Sequence, residues 1–441
     1  MGQKGRKTTF KERIEIGERS EAGQTDREIA EAMGRTIWVV RKWRRKYQRE
    51  GRSGLISHMG RPPTGALGQF PEQVRKAVRR MREANPGWGP DTVKVELEKE
   101  SELGEVPKPS RSRIAAFLKQ ENYTRSYERH TELPQPEKTS DQQVHEEWEM
   151  DAQGVIDAPG LGRVSIINIA DVRSRLKVES ISCMDTSHPS TSNYQLILRR
   201  AFLQYGLPER ISLDHDSVFY DNASPSPFPT LLHLWLIALG IDVRFIENRP
   251  PVEHSLIERT HQTIYQQAIA GQTFVDNDGI QQRLTDRRHF LNHDFPTRAL
   301  AGRSPLEAYP DAEHSGRPYR PEWEEETLDI DRVCDYLAQG RWFRHSSSVG
   351  QFSIGAHRYN AGSNFAEQEL EITFDPQARE LVCLSEDGEE IRFPIEGLTK
   401  SDLMGELAPL LTLPMYQLAL PFTPEAWREM MLCDDLTGTT L

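Results

Sequence analysis

Cysteine is scarce: only Cys183, Cys334, Cys383 and Cys433 occur in 441 residues, widely separated and never as a CxxC pair. That argues against a disulfide framework and against a cysteine-built zinc site, leaving four reduced thiols as the plain reading. Long apolar runs are missing too. The longest, such as Leu231 to Leu239, contain polar residues and fall far short of the ~20 residues needed to span a bilayer, so no membrane association is expected. The stretch Met1 to Lys11 is basic and polar with no apolar segment behind it, which excludes a secretory signal and makes the cytoplasm the expected address. Positive charge is in deficit overall, with 55 Lys and Arg against 67 Asp and Glu and a net charge of −12. Hydrophobic residues at 37% are nonetheless enough for packed domains, and the length calls for two to four of them.

The acidic average hides a division. Residues 1 to 130 hold 29 Lys and Arg against 18 Asp and Glu, a balance of +11, which leaves −23 for the remainder. A basic head on an acidic body suggests a nucleic-acid reader joined to something else. Residues 10 to 50 have helical periodicity. Thr25 and Glu28 stand as N-cap and N3 of a capping box opening a helix to Met33, and Gly34 breaks it. A helix from Thr36 then buries Ile37, Val40, Trp43 and Tyr47 and turns Arg41, Lys42, Arg44 and Arg45 outward. This is a helix-turn-helix pattern, in which the second helix of the pair enters the major groove of double-stranded DNA. Thr36, Trp38, Arg41, Lys42 and Arg45 are the candidate DNA contacts; the alternative is that these cations are an ordinary solvated face.

Residues 52 to 70, rich in Gly, Pro and Ser around Gly60-Arg61-Pro62-Pro63, read as an extended linker. Arg61 is a candidate minor-groove contact, with a passive spacer as the equal alternative. A second trihelical unit spans 71 to 130. Val74 to Ala84 is helical, Asn85-Pro86-Gly87-Trp88-Gly89 is a turn, Pro90 opens another helix, and Ser110 caps a third that carries the candidate contacts Arg111 and Arg113. Residues 131 to 143 read as a hinge.

From Val144 the period changes to that of strands. Trp148 to Val155, Val164 to Asp171 and Leu176 to Ser182 form an expected antiparallel meander. Helix Tyr194 to Tyr205, strand Arg210 to Asp214, helix Thr230 to Leu239, strand Asp242 to Ile246 and a long helix from His254 to Ala270 complete the order βββαβαβα, a mixed α/β core over 144 to 312. Three acids fall where this core could gather them: Asp151 on the first strand, Asp214 ending the fourth, and Glu258 in the last helix. Oxygen ligands of this kind suit Mg²⁺ or Mn²⁺, a pair of which can clamp both oxygens of an in-line phosphoryl displacement. With 67 acids in the chain, spacing alone is weak evidence, because each acid could equally serve a turn, a cap or an ion pair.

Motifs add specificity. Trp148-Glu149-Met150-Asp151 resembles the Trp-x-x-Asp that opens the catalytic domain of DDE transposases and retroviral-type integrases. Ile211-Ser212-Leu213-Asp214-His215-Asp216-Ser217-Val218-Phe219 is similar to their second block, and Glu258-Arg259-Thr260-His261-Gln262-Thr263 to the third. The resemblance runs from about Phe10 to Glu396, nearest to insertion-sequence transposases with tandem helix-turn-helix units. It implies an RNase H-like core and a nucleoid-associated enzyme that cleaves and joins DNA. Asp151, Asp214 and Glu258 would be catalytic and metal-binding, with two Mg²⁺ or Mn²⁺ ions per site. It further implies a homo-oligomer on DNA, dimer or tetramer, and leaves open an ATPase partner that selects the target. Two departures leave rivals open. His215-Asp216 stands where Asn-Gly is usual, and Pro250-Pro251-Val252-Glu253 differs from the usual approach to the Glu, so Asp216 and Glu253 are rival ligands. His261, one helical turn past Glu258, is a candidate phosphate contact, with a supporting or structural role as the alternative. A catalytically decayed, DNA-binding descendant is the rival function.

Beyond the core, residues 322 to 400 read as a linking helix, Glu322 to Gln339, followed by short alternating strands between Arg341 and Phe393 that suggest a small β-barrel. The acidic tail 401 to 441 carries no readable role.

Overall fold

The computed structural model describes residues 7–56, 65–124, 142–184, 189–222, 224–246 and 255–405. Arg61, Glu253 and most of the hinge and tail lie outside the described residues.

The first unit packs α1 (Phe10–Glu21), α2 (Asp26–Ala32) and α3 (Ile37–Glu50) around Ile16, Ile29, Val40 and Trp43. Thr25 opens α2 through the expected capping box, its amide donating to Glu28 Oε2 at 2.7 Å and its hydroxyl accepting the Glu28 amide at 3.4 Å. Gly34 turns the chain toward α3 at φ 61, a left-handed conformation that a Cβ disfavours. Leu55 joins the same core and its carbonyl accepts from Arg13 at 3.0 Å, so the chain just past α3 folds back instead of starting an extended spacer.

The second unit packs α4 (Glu72–Ala84), α5 (Pro90–Lys99) and α6 (Arg111–Gln120) around Val78, Trp88, Leu97 and Phe117. It is joined to a core built on a five-stranded mixed sheet of β1 (Glu147–Ala158), β2 (Gly162–Asp171), β3 (Lys177–Met184), β4 (Arg210–Leu213) and β5 (Asp242–Phe245), in the spatial order β3-β2-β1-β4-β5. The first three strands are antiparallel, and β4 and β5 run parallel to β1. Period-two alternation sets the faces. Trp148, Met150, Ile167 and Ile169 pack against α7 (Thr191–Tyr205) and α8 (Leu231–Ala238), whereas Val164 and Ile166 pack against α9 (Ser255–Ile264) and α10 (Asn277–His293). The expected βββαβαβα order and mixed sheet are therefore found. The last helix of the series departs from a plain α-helix, because it continues past Ile264 as a π-turn, Tyr265–Ile269.

That π-turn is where the second helical unit docks. Trp88 Nε1 donates to the Gln267 carbonyl at 3.2 Å, Gln267 Nε2 donates to Thr92 Oγ1 at 2.8 Å, and Arg287 pairs with Glu96 at 2.6 Å while lying 4.4 Å from the Trp88 ring centre. Gly87 permits the approach, since a Cβ there would stand 2.0 Å from the Gln266 carbonyl oxygen. Gly87→Ala is therefore expected to loosen the joint at a cost of about 1–3 kcal/mol, the usual range for overpacking. Hydrogen exchange along Tyr265–Ile269 would report it, with Gly89→Ala as the control because nothing lies within 4 Å of that position. Equal protection in both variants would show that Gly87 is not the permissive contact.

After α11 (Pro305–Ala308), the expected linking helix is split into α12 (Glu324–Thr327) and α13 (Ile330–Leu337). The break follows from Asp329, which caps α13 by accepting the Arg332 amide and donates its own amide to the Ala238 carbonyl. The strands β6 (Trp342–His345), β7 (Gln351–Ile354), β8 (His357–Asn360), β9 (Glu369–Asp375), β10 (Glu380–Leu384) and β11 (Glu390–Pro394) do not close into the expected barrel. They form an open sheet, β11-β10-β9-β6, and a separate β7-β8 hairpin. The hairpin meets the sheet through side chains, Phe352 and Tyr359 against Phe393 at 5.7 and 5.5 Å between ring centres, where a barrel would need a backbone ladder. A short helix, α14 (Lys400–Met404), ends the described chain.

Candidate active site and DNA-reading face

Parallel pairing of β1 with β4 decides where the acids meet. Glu149 lies opposite Ser212, so Asp151 and Asp214 stand two residues further along neighbouring strands, at the same end. Their charges, with that of Asp216, reach the hydroxyl of Tyr194 on α7, which is buried below them; burial first and these three carboxylates next push that phenol's pKa far upward. Phe219 rests on the Tyr194 ring, 4.6 Å between centres, and ties the segment after Asp214 to α7.

The turn after Asp214 forms without the glycine usual in the resembling blocks. Neither His215 nor Asp216 is among the residues with positive φ, so the backbone there requires no glycine. Asp214 Oδ1 accepts the Asp216 amide at 3.0 Å, and Asp216 Oδ1 accepts the Val218 amide at 3.1 Å and the Ser217 hydroxyl at 3.3 Å. Asp216 thus works as a turn-forming acid.

Helix α9 lies over this end of the sheet. His261 on α9 is 9% exposed, and its Nε2 is 3.0 Å from Asp151 Oδ2. Glu258 precedes His261 by one helical turn on the same side of α9 and is exposed. Among the described residues no three His, Cys, Asp or Glu side chains stand close enough to hold a metal ion. The carboxylates of Asp151 and Asp214 are oxygen donors of the kind Mg²⁺ or Mn²⁺ prefers, and Glu258 does not complete a group of three with them in this arrangement.

Sequence reasoning missed Glu149. It is buried, its Oε2 accepts the Ile257 amide at 3.0 Å, and so it holds the first turn of α9. Burial, countered by that amide, pushes its pKa up to about 7. Beside it Lys177 Nζ donates to Thr260 Oγ1 at 2.8 Å, its own pKa pushed down to about 7 by burial and by the neighbouring Arg175. The one available signal was a charged residue on the same strand face as Asp151, opposite the apolar face of Trp148 and Met150. A groove of about 1310 Å³ is lined by Ser217 and Val218, a few residues past Asp214 in the chain, and by Asp221, Arg344, Phe352 and His357.

In the first helical unit, Thr36, Trp38, Arg41, Lys42 and Arg45 all lie exposed on or at the start of α3. Trp38 is 79% exposed, far more than a core tryptophan would be, and Arg41 lies 6.0 Å from its ring centre while pairing with Asp26 at 3.0 Å. In the second unit Arg111 pairs with Asp91 at 3.2 Å, and Arg113 donates to Gln69 at 3.1 Å and lies over Phe70. The docking described above covers α5 and leaves α6 outward, with Arg111, Ser112 and Lys119 exposed.

Residues 7–56 and 39–118 each match models of a homeodomain-like domain. No curated protein matches the chain. Among solved structures, the catalytic core domain of BIV integrase matches with 16% identity over 38% of this chain and 96% of that one, TM-score 0.29. The HTLV-2 integrase catalytic core domain in complex with magnesium matches with 12% identity over 37% and 96%, TM-score 0.28. A simian T-cell lymphotropic virus intasome in complex with a PP2A regulatory subunit matches with 10% identity over 72% and 96%, TM-score 0.33. No helix among the described residues is long and apolar enough to cross a membrane.

Proposed function

We propose that the chain is a DDE-type transposase: it binds the ends of its element through its helical units, cleaves to free 3′-OH ends and joins them to target DNA. The single observation that carries this reading is the juxtaposition of Asp151 and Asp214 at one end of β1 and β4, in a chain that also carries an exposed Trp38-Arg41-Arg45 face. Asp151 and Asp214 would hold Mg²⁺ or Mn²⁺, with Glu258 drawn in from α9 as the third ligand. When bound, two such ions supply charge stabilisation for the attacking and leaving oxygens of an in-line displacement. The chain's own residues position the DNA phosphates against the acids. Joining two ends requires at least two protomers, so a homo-oligomer on DNA is part of the proposal. A second reading, a DNA-binding protein that no longer cleaves, draws on the exposed position of Glu258, outside any three-ligand set among the described residues. Nicking of DNA flanking the chain's own gene, assayed with Mn²⁺, separates the two.

DNA binding itself is testable apart from cleavage. Trp38, Arg41 and Arg45 recur at helical spacing on α3, and the exposed Arg41–Asp26 pair costs little to exchange for a phosphate contact. Replacing all three with Ala in the full chain is expected to weaken binding by about a hundredfold at low salt. If Arg41 and Arg45 each meet a phosphate, the slope of log K against log salt should fall by roughly two. Unchanged affinity and slope would remove α3 as the reading helix.

A further inference from the structure

We propose that His261 is a positioning residue for Asp151, held in a single tautomer by a row of paired side chains that crosses the sheet. The inference rests on the proposed metal-binding role of Asp151, and it assigns His261 to that carboxylate and not to a DNA phosphate. Register builds the row. Asp151 on β1 pairs with Asn168 on β2, and Asn168 pairs with Ser180 on β3, so the three side chains stand on one face of adjacent strands. Asn168 and Ser180 are fully buried there, and α9 lays His261 across them.

The hydrogen bonds have one direction. Ser180 Oγ donates to Asn168 Oδ1 at 2.6 Å, which turns the amide nitrogen of Asn168 toward His261 Nδ1, 2.8 Å away. An amide nitrogen only donates, so Nδ1 must accept, and the ring proton sits on Nε2. From there it is donated to Asp151 Oδ2 at 3.0 Å. Both ring nitrogens are engaged, which leaves no edge for a phosphate. Asp151 is steadied through Oδ2, the arrangement by which outer hydrogen bonds orient a metal-binding carboxylate.

The test uses the full-length chain with ¹⁵N-labelled histidine and Mn²⁺ alone as the probe. Nuclear magnetic resonance of the metal-free protein is expected to show His261, identified by its loss in His261→Leu, as the Nε2–H tautomer; an Nδ1–H tautomer overturns the proposal. Mn²⁺ affinity is expected to fall about tenfold or more in His261→Leu, as supporting contacts of this kind usually require. It should recover largely in His261→Gln, whose side-chain amide can donate to Asp151. Should His261→Leu fail to fold, Ser180→Ala carries the same comparison: mixed tautomers and weaker Mn²⁺ binding support the relay, whereas a single tautomer with unchanged affinity overturns it. Wild-type affinity in a folded His261→Leu, with loss in Asp151→Asn, refutes the positioning role alone. Wild-type affinity in Asp151→Asn refutes the metal role of Asp151, and the proposed function fails with it.

Discussion

Asp214→Asn is expected to lower Mn²⁺-dependent DNA nicking by at least about a thousandfold, the scale of losing a charge-stabilising group from a phosphoryl-transfer site. Asp216→Asn should stay within about tenfold of the parent protein. The two substitutions differ in what they remove. Asp216 spends its Oδ1 on the Val218 amide and the Ser217 hydroxyl, and the amide oxygen of an asparagine accepts both. Asp214 accepts the Asp216 amide, a bond that asparagine also keeps, so this contact of the turn survives while the charge is lost. Nicking should be measured on DNA defined by footprinting with the parent protein, with urea unfolding of all three proteins to verify the fold. Equal loss from both would mean that Asp216 shares the ligand role; full activity in Asp214→Asn would leave the DNA-binding reading standing.

The second large effect concerns the join between the core and the short helices that precede and follow the C-terminal sheet in the chain. Glu324 is fully buried and accepts from Arg199 Nε at 2.8 Å, from Arg199 Nη2 at 2.6 Å, from Trp235 Nε1 at 2.8 Å and from the Tyr319 hydroxyl. Arg199 also donates to the Met404 carbonyl at 2.5 Å, so the Glu324–Arg199 pair fastens α7, α8, α12 and α14 together. Glu324→Leu strands a buried guanidinium and two further donors, and should cost about 3–5 kcal/mol in chemical denaturation. Adding Arg199→Met should recover part of that loss, because an apolar pair can replace a buried ion pair at little net cost. The exposed neighbour Glu322→Leu should change stability by less than about 0.5 kcal/mol. A loss under 1 kcal/mol in Glu324→Leu would show that the network contributes little.

Local chemistry carried the sequence reading where it succeeded. The Thr25–Glu28 box, Gly34 and the buried spacing of Val40 and Trp43 are properties of a few consecutive residues, and strand alternation from Trp148 to Asp171 needs no partner to be visible. The failures involve register and distance along the chain. Alternation between Arg341 and Phe393 identifies strands but not which edges pair, so an open sheet beside a hairpin reads like a barrel. Asn168 and Ser180 look like ordinary strand residues until pairing sets them in line with Asp151. The turn Asn85-Pro86-Gly87-Trp88-Gly89 was legible as a turn, yet its role in docking depends on Gln266 and Gln267, about 180 residues away. In the candidate site, Asp151 and Asp214 stand out in the sequence through the motifs they sit in, whereas Glu149 gains meaning only from α9, whose Ile257 amide it accepts.

Under the proposed function, the Trp88 joint would also make the chain a measuring device. The π-turn that receives Trp88 and Thr92 continues directly from α9, the helix that bears Glu258 and His261, so the unit that carries α6 is hydrogen-bonded to the extension of the helix beside the acids. If α6 grips one stretch of duplex, the number of base pairs between that stretch and the acids is set by this frame, not by a flexible tether. At about 3.4 Å per base pair along a strand, inserting even one between the bound sequence and the scissile phosphate would carry that phosphate out of reach.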